Sequence, residues 1–222
     1  MSIAADISPP SLDGLTIGVL GGTGEQGRGL ARRFAMAGLP VLLGSRTVSR
    51  AEQAADGMDG VTGCLNADAA VADIVIVAVP WDGHEALLRE LAPSLQGRLV
   101  VDCVNPLAFG KGGPRPVAVP EGSAAQQAAA LLPGSRVCAA FHHISARLLL
   151  EGDGPLDTDV LVAGDSREDK DLVIALAGTI AGMRGIDAGP LHLAGPLEAM
   201  TAVLIAVNRR YKAHAGLRIT DV

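Results

Sequence analysis

Gly22-Thr23-Gly24-Glu25-Gln26-Gly27 follows a short apolar run and opens a helix-like stretch, and its G-x-G-x-x-G spacing suits a phosphate-binding turn. In such a turn the first glycine permits the tight reversal and the second lets backbone N–H groups approach a pyrophosphate. The third allows close helix–sheet packing, and the helix N-terminus adds partial positive charge. With 28 glycines in the chain the pattern alone is weak, so the flanking strand and helix carry the reading. The next strand ends Leu43-Gly44-Ser45-Arg46-Thr47, with Arg50 one helical turn on. A site selective for NAD places a carboxylate about 20 residues after the glycines, to accept from a ribose hydroxyl. None stands there. Ser45 can donate to a 2′-phosphate, Arg46 can grip it with a planar fork and stack on adenine, and Arg50 adds a second charge. The pattern points to NADP(H).

Other candidate residues follow from where strands end. Val79-Pro80-Trp81 and Asn105-Pro106 close two strands, and carboxyl ends of parallel strands face a bound dinucleotide. Trp81, the only tryptophan, either walls the nicotinamide pocket or fills the core. His142 and His143 end a later strand beside the same region, as substrate contacts or as structural histidines. Cys64, Cys103 and Cys138 sit singly in apolar stretches without C-x-x-C spacing. They read as buried free thiols of a reducing compartment, with no metal site. A Tyr-x-x-x-Lys pair is missing, Tyr211-Lys212 being misplaced for it. No side chain is assigned as catalytic.

The elements that must position these residues alternate. Leu15–Leu20, Pro40–Leu43, Val61–Leu65, Asp73–Val79 and Leu99–Val104 read as strands, with helices over Glu25–Ala37, Ser49–Asp56 and Gly83–Leu95 between them. That alternation calls for a parallel sheet with right-handed crossovers. Residues 107–120, rich in glycine and proline, read as a loop covering a ligand. Ser123 caps a helix running to Leu132; Arg136–Phe141 and Asp159–Ala163 are further strands. Asp165 and Glu168 have capping-box spacing for a helix over Ser166–Ala181. Pro196–Ala213 is a last long helix, apolar on more than one face, and so either buried or shared with a second subunit.

The expected fold is therefore α/β: a Rossmann-type, doubly wound, mainly parallel sheet with a small C-terminal α/β extension ending in a long helix. The expected organisation is a flexible tail (1–13), an NADP-binding half (14–106) and a remainder (107–222) compact with the first half. The 222 residues are 49% hydrophobic but only 2% aromatic, so the core must be built from Ala, Val, Leu and Ile. Eighteen basic and 24 acidic residues give a formal charge of −6, with no basic stripe. Nucleic-acid binding is not expected. No signal peptide is read at the N-terminus, and the longest apolar runs, Ile74–Trp81 and Met200–Val207, fall short of the roughly 20 residues that span a bilayer. A cytoplasmic protein without membrane partners is expected, with a homodimer through the last helix.

The chain also resembles NADPH-dependent reductases of the 8-hydroxy-5-deazaflavin coenzyme F-420. The resemblance rests on Gly21–Gly27, Gly44-Ser45-Arg46, Val79-Pro80-Trp81, Gly122-Ser123-Ala124-Ala125, Gly164-Asp165 with Lys170, Asp187-Ala188-Gly189-Pro190-Leu191 and the helix from Leu197-Glu198. It spans the chain from Leu15 onward. By position it implies NADP contacts at Thr23, Gly24, Glu25, Gln26, Ser45, Arg46, Arg50, Trp81 and Ala146. The chain departs from the family at Arg50, where lysine is usual, at Ser145, where proline is common, and at Asn105-Pro106. Joined to the motif reading, the cofactor set is Gly22, Thr23, Gly24, Glu25, Gln26, Gly27, Ser45, Arg46, Arg50, Pro80, Trp81, Asn105 and Ala146. Pro106, His142 and His143 are the substrate-side candidates. The family implies reversible hydride transfer between nicotinamide carbon 4 and deazaflavin carbon 5, a reaction in which positioning supplies most of the catalysis. Two alternatives stay open. One is an imine or ketone reductase using His142, His143 or Lys111 as proton donor. The other is a non-catalytic NADPH-binding sensor.

Overall fold

The computed structural model describes residues 10–222. Most of the expected tail lies outside the described residues, and Leu12, near its end, packs with Leu15 against the core. From there the chain runs β1 (Ile17–Leu20), α1 (Glu25–Met36), β2 (Val41–Ser45), α2 (Val48–Ala55), β3 (Val61–Leu65), α3 (Asn66–Ala69), β4 (Ile74–Val77), α4 (His84–Leu95) and β5 (Leu99–Asp102). It continues through β6 (Leu107–Gly110), β7 (Gly113–Pro116), α5 (Ala124–Leu131), β8 (Arg136–Ala139), α6 (Ala146–Leu150), β9 (Thr158–Gly164), α7 (Arg167–Gly178), β10 (Met183–Asp187) and α8 (Ala194–Tyr211).

Eight strands form one sheet in the order β10-β9-β8-β5-β4-β1-β2-β3. Pairing is parallel except between β8 and β9, so the expected mainly parallel, doubly wound sheet is what forms. The four residues of β1, β4 and β5 are buried on both faces, as the apolar runs of β1, β4 and Leu99–Val101 require. Their side chains alternate between two layers. Ile17, Val19, Ile74 and Ile76 meet α1 and α7, whereas Val75, Val77 and Val100 meet α4 and α5. A third, smaller cluster around Leu161, Ala163, Leu191 and Leu197 lies under α8. The few aromatics do concentrated work: Phe34 and Phe141 meet edge to face, ring centres 5.8 Å apart.

Several local expectations change. Residues 107–120 hold the antiparallel β6–β7 hairpin rather than a plain loop, since Gly113 at φ +99° allows the two-residue reversal at Lys111-Gly112. The prolines Pro114 and Pro116 are tolerated because this two-stranded ribbon has no interior strand. Strand β10 and helices α3 and α6 were also not foreseen. Helix α7 is capped by Ser166, whose hydroxyl accepts from the Asp169 amide at 3.2 Å. Asp165 instead accepts from the Leu191 amide at 2.9 Å and so ties β9's end to the start of the C-terminal segment. Residues Leu191–Tyr211 have the length and apolar composition of a bilayer span, more than the run Met200–Val207 suggested. In the fold α8 lies against α5 and β7, with Leu197, Glu198, Ala202 and Leu204 buried.

Two charged groups hold the second half in place. Arg33, on α1, is buried and donates to the carbonyls of Leu148, Leu149, Gly152 and Gly154 at 2.8–3.0 Å, fixing the end of α6. Asp159, wholly buried on β9, accepts both arms of Arg184 at 2.8 Å, Arg218 at 2.6 Å and the Ile219 amide at 2.7 Å. The Arg184 bonds, outweighing burial, hold its carboxyl well below the usual range. The C-terminal segment is thereby fastened across β9.

Candidate functional site

Strands β1, β2, β4, β5 and β8 are parallel, so their carboxyl ends share one edge, and strand order reverses between β1 and β4. A cleft must open there, because the connections leave in opposite directions. At one end it holds ≈ 450 Å³ and is lined by Thr23, Gly24, Ser45, Arg46, Arg50 and Asn66, among others. At the other it holds ≈ 580 Å³ and is lined by Gln26, Asn105, His142, Ser145, Ala146 and Thr201, among others. The two ends share Gly24, Ala78, Val79 and Pro80, so they form one passage.

The glycine turn is set by distant partners as well as by its own sequence. Gly21 takes φ +65°, and a Cβ there would lie 2.2 Å from Val79 Cγ1. Its amide donates to Asn66 Oδ1 at 3.0 Å, and the Gly22 amide donates to Gly44 O at 2.9 Å. The reversal therefore turns on Gly21, one residue before the motif. Gly24 is the extended residue before α1, and a Cβ there would meet nothing within 4 Å. That open space in front of a helix N-terminus fits a pyrophosphate. A Cβ on Gly27 would lie 2.7 Å from Gly22 Cα, so the third glycine lets α1 press on its own loop rather than on the sheet. Ser45 is buried at the end of β2, while Arg46 and Arg50 are exposed on the cleft's rim.

Beyond the turn, the opposite wall is a small hydrogen-bonded frame. Asn105 Nδ2 donates to His142 O at 2.9 Å, and Thr201 Oγ1 lies 3.0 Å from the same carbonyl and 3.2 Å from Asn105 Oδ1. Gln26 Nε2 donates to Phe141 O at 3.1 Å. Phe141 itself is buried at φ +64°, a strained conformation for a bulky residue that delivers His142 and His143 into the cleft. His143 Nε2 lies 2.8 Å from Asp159 O and donates to it. His142 is 3% exposed, yet both its ring nitrogens lack a hydrogen-bond partner among the described residues. Burial, reinforced by His143 and opposed by Asp102, pushes its pKa down to about 4, so the ring is neutral near pH 7. Unpaired buried nitrogens are costly and call for a ligand or a functional reason.

Two expected site residues lie elsewhere. Trp81 begins a short 3-10 turn, and its ring turns back on His84, ring centres 5.4 Å apart, to join the α4-side core instead of the cleft lining. Pro106 is buried at the base of the hairpin, where its carbonyl accepts from the Val117 amide at 2.8 Å. Of the cysteines, Cys103 reaches the cleft lining, and burial raises its thiol pKa far above the usual range. Cys138 is buried, while Cys64 is only partly so.

Behind the cleft sits a buried polar network that the sequence did not reveal. His84 Nε2 is 2.7 Å from Asp102 Oδ2, and Nδ1 is 2.9 Å from Gln127 Oε1. Gln127 donates through its Nε2 to Glu121 at 3.3 Å, which orients the amide and leaves both His84 nitrogens facing acceptors. That arrangement is satisfied only by a doubly protonated, cationic ring. Burial pulls the His84 pKa down, but the Asp102 carboxylate and Gln127 outweigh it and the net shift is upward. Glu198, one turn before Thr201 on α8, accepts from the Ala124 and Ala125 amides at 2.9 and 3.1 Å and so caps α5. Asn66, His84, Glu198 and Thr201 each act across a long stretch of chain, and no local pattern marks them.

A glycine turn at the switch point, with two exposed arginines after the second strand on the same cleft, defines a Rossmann-type dinucleotide-binding protein. Residues 16–106 match the family described as NADP oxidoreductase, coenzyme F420-dependent. The F420-dependent NADP reductase of Methanothermobacter thermautotrophicus is 40% identical, with 94% of this chain and 96% of the relative covered. That of Methanocaldococcus jannaschii is 37% identical, covering 94% and 99%. A solved structure from Arthrobacter sp. FB24, a candidate F420-dependent NADP-reductase, superposes with a TM-score of 0.82 at 27% identity, covering 93% of this chain and 100% of that one. The chain belongs to the F420-dependent NADP reductase family.

Proposed function

We infer that the chain is an oxidoreductase that moves a hydride reversibly between NADP(H) and the deazaflavin coenzyme F-420. The observation that carries this reading is the single passage joining the glycine turn and its arginines to a second chamber walled by Asn105, His142 and Ala146. Thr23, Gly24, Glu25 and Gln26 would hold the pyrophosphate, with Gly22 and Gly27 shaping the turn. Ser45, Arg46 and Arg50 would hold the 2′-phosphate, and Pro80, Asn105 and Ala146 would border the nicotinamide. When both are bound, the two ring systems supply the hydride donor and acceptor, and the chain's part is to align them and exclude water. His142, neutral and unpaired, offers one donor and one acceptor to the polar edge of the acceptor ring.

An imine or ketone acceptor would need a proton donor. His142, with a pKa of about 4, is a poor one at neutral pH, and His143 already donates to Asp159 O. Lys111 is exposed at the hairpin turn, outside the cleft lining. The test is a visible-absorbance assay with NADPH and oxidised coenzyme F-420. Bleaching with NADPH and little with NADH is expected; tight NADPH binding without bleaching overturns the acceptor assignment.

We also propose a homodimer through α8, working in the cytoplasm without nucleic-acid or membrane partners. The outward face of α8 supports the dimer, the apolar Val203 being 60% exposed in the middle of the helix. The free cysteines fit a reducing compartment. Sedimentation should give a dimer that Val203→Glu converts to a monomer; a wild-type monomer at micromolar concentration removes the proposal.

A further inference from the structure

We propose that Arg28 is a further determinant of NADP over NAD, closing the 2′-phosphate site from the side of α1; the inference rests on the NADP reading above. Beside the phosphate end of the passage lies a second cleft of ≈ 340 Å³, lined by Thr23, Arg28, Arg50, Gln53 and Ala54. It shares Thr23 and Arg50 with the passage, so a group lodged near Thr23 is reachable from both. Its lining holds two guanidinium groups, a hydroxyl and an amide, and no carboxylate.

Arg28 lies in the first turn of α1, and its Nε donates to the carbonyl of Ala54, in the last turn of α2, at 3.3 Å. That bond stations the guanidinium between the two helices and uses one of its five donors. Among the described residues its two NH2 groups have no hydrogen-bond partner, and no carboxylate lies within ion-pair distance. The other arginines of α1 are committed: Arg32 pairs with Asp153, and Arg33 is spent on four carbonyls. Arg46 and Arg50 likewise have no carboxylate partner among the described residues. Three unneutralised cations thus border the two clefts that meet at Thr23, in a chain whose formal charge is −6.

Such a concentration of unpaired positive charge favours a group carrying close to two negative charges over a neutral hydroxyl. A planar fork with free donors suits a phosphate monoester better than a point charge does. Sequence spacing places the 2′-phosphate ligands Ser45, Arg46 and Arg50 at and after the end of β2. Arg28 joins them because α1 and α2 pack side by side and aim it at the same place.

The experiment is calorimetric titration of the purified protein with two probes, adenosine 2′,5′-bisphosphate and ADP, which lacks the 2′-phosphate. Wild type should bind the bisphosphate more tightly than ADP. Arg28→Gln keeps a donor for the Ala54 carbonyl, and should weaken bisphosphate binding on the order of tenfold while changing ADP binding less than about twofold. Arg28→Lys should recover part of the loss. Unchanged bisphosphate affinity in Arg28→Gln overturns the proposal, as does an equal loss for both probes, which would mark a structural role. If wild type itself does not distinguish the probes, the NADP reading fails first and this inference with it. A melting temperature for each variant, and its retained affinity for ADP, show that the fold is intact.

Discussion

Replacing Glu198 with glutamine should reverse its effect on stability between acid and alkaline pH. Glu198 is 3% exposed, and burial, opposed by the two amides it accepts from, raises its pKa from 4.5 to about 7. The folded protein therefore holds this proton more tightly than the unfolded chain. Below pH 4.5 the carboxyl is protonated in both states and carries no penalty; as pH rises toward 7 stability falls, and above 7 the full penalty applies. The difference of about 2.5 units, at roughly 1.4 kcal/mol each, gives about 3 kcal/mol. Glutamine cannot ionise, but its NH2 faces one of the two amides, which costs about 1 kcal/mol of hydrogen bonding. The variant should be about 1 kcal/mol less stable than wild type at pH 4, close to wild type at pH 5 and about 2 kcal/mol more stable at pH 8. His84, whose pKa is also raised, contributes stability that is lost as pH rises through its folded value, so some slope persists in the variant. Urea unfolding followed by circular dichroism across pH 4–8 measures the difference. Trp81 fluorescence, quenched by a protonated His84 at 5.4 Å, reports the histidine separately. Parallel stability curves, with the variant weaker by the same amount at every pH, would refute the reasoning.

Four further outcomes are expected. Arg46→Ala should raise the KM for NADPH by on the order of tenfold or more with little effect on NADH, since a charge-assisted fork is lost; equal losses in steady-state assays would defeat the assignment. Gly24→Ala should leave the melting temperature near wild type, because its Cβ meets nothing within 4 Å, yet weaken NADPH binding by filling the cradle; unaltered fluorescence titrations with NADPH would place the pyrophosphate elsewhere. Arg33→Met should cost about 3–5 kcal/mol in urea, because four bonds from a buried guanidinium to carbonyls at and beyond the end of α6 vanish together; a loss below 1 kcal/mol would show that α6 does not depend on it. His142→Leu removes two unpaired buried nitrogens and should hold or raise stability, while turnover with coenzyme F-420 falls; full turnover would detach His142 from the acceptor.

Much of the site was legible because its chemistry is local. The glycine turn, Ser45, Arg46 and Arg50 lie within one βαβ unit, where steric need and charge act over a few residues. Fully buried strands announced themselves as apolar runs, which is why β1, β4 and β5 were read correctly. The hairpin was missed because its prolines and glycines are loop signals, and only a two-stranded ribbon with no interior strand makes them compatible with pairing. Its place after Pro80 points Trp81 toward the cleft, whereas its ring lies against His84, ring centres 5.4 Å apart.

By itself the sequence determined the parallel α/β frame, the glycine turn that opens α1 and the cationic residues after β2 that point to NADP(H), each of which depends on residue type and short spacing. Tertiary structure alone decided which groups lie opposite one another. Asn66 fastens Gly21, Arg33 secures α6, Glu198 caps α5, and Thr201 closes the frame on Asn105 and His142. It also placed Arg28 against Ala54 and left His142 unpaired in the cleft. The physical reason is that hydrogen bonds and buried charges are satisfied by whatever the fold brings within about 3 Å, and sequence distance carries no record of that proximity.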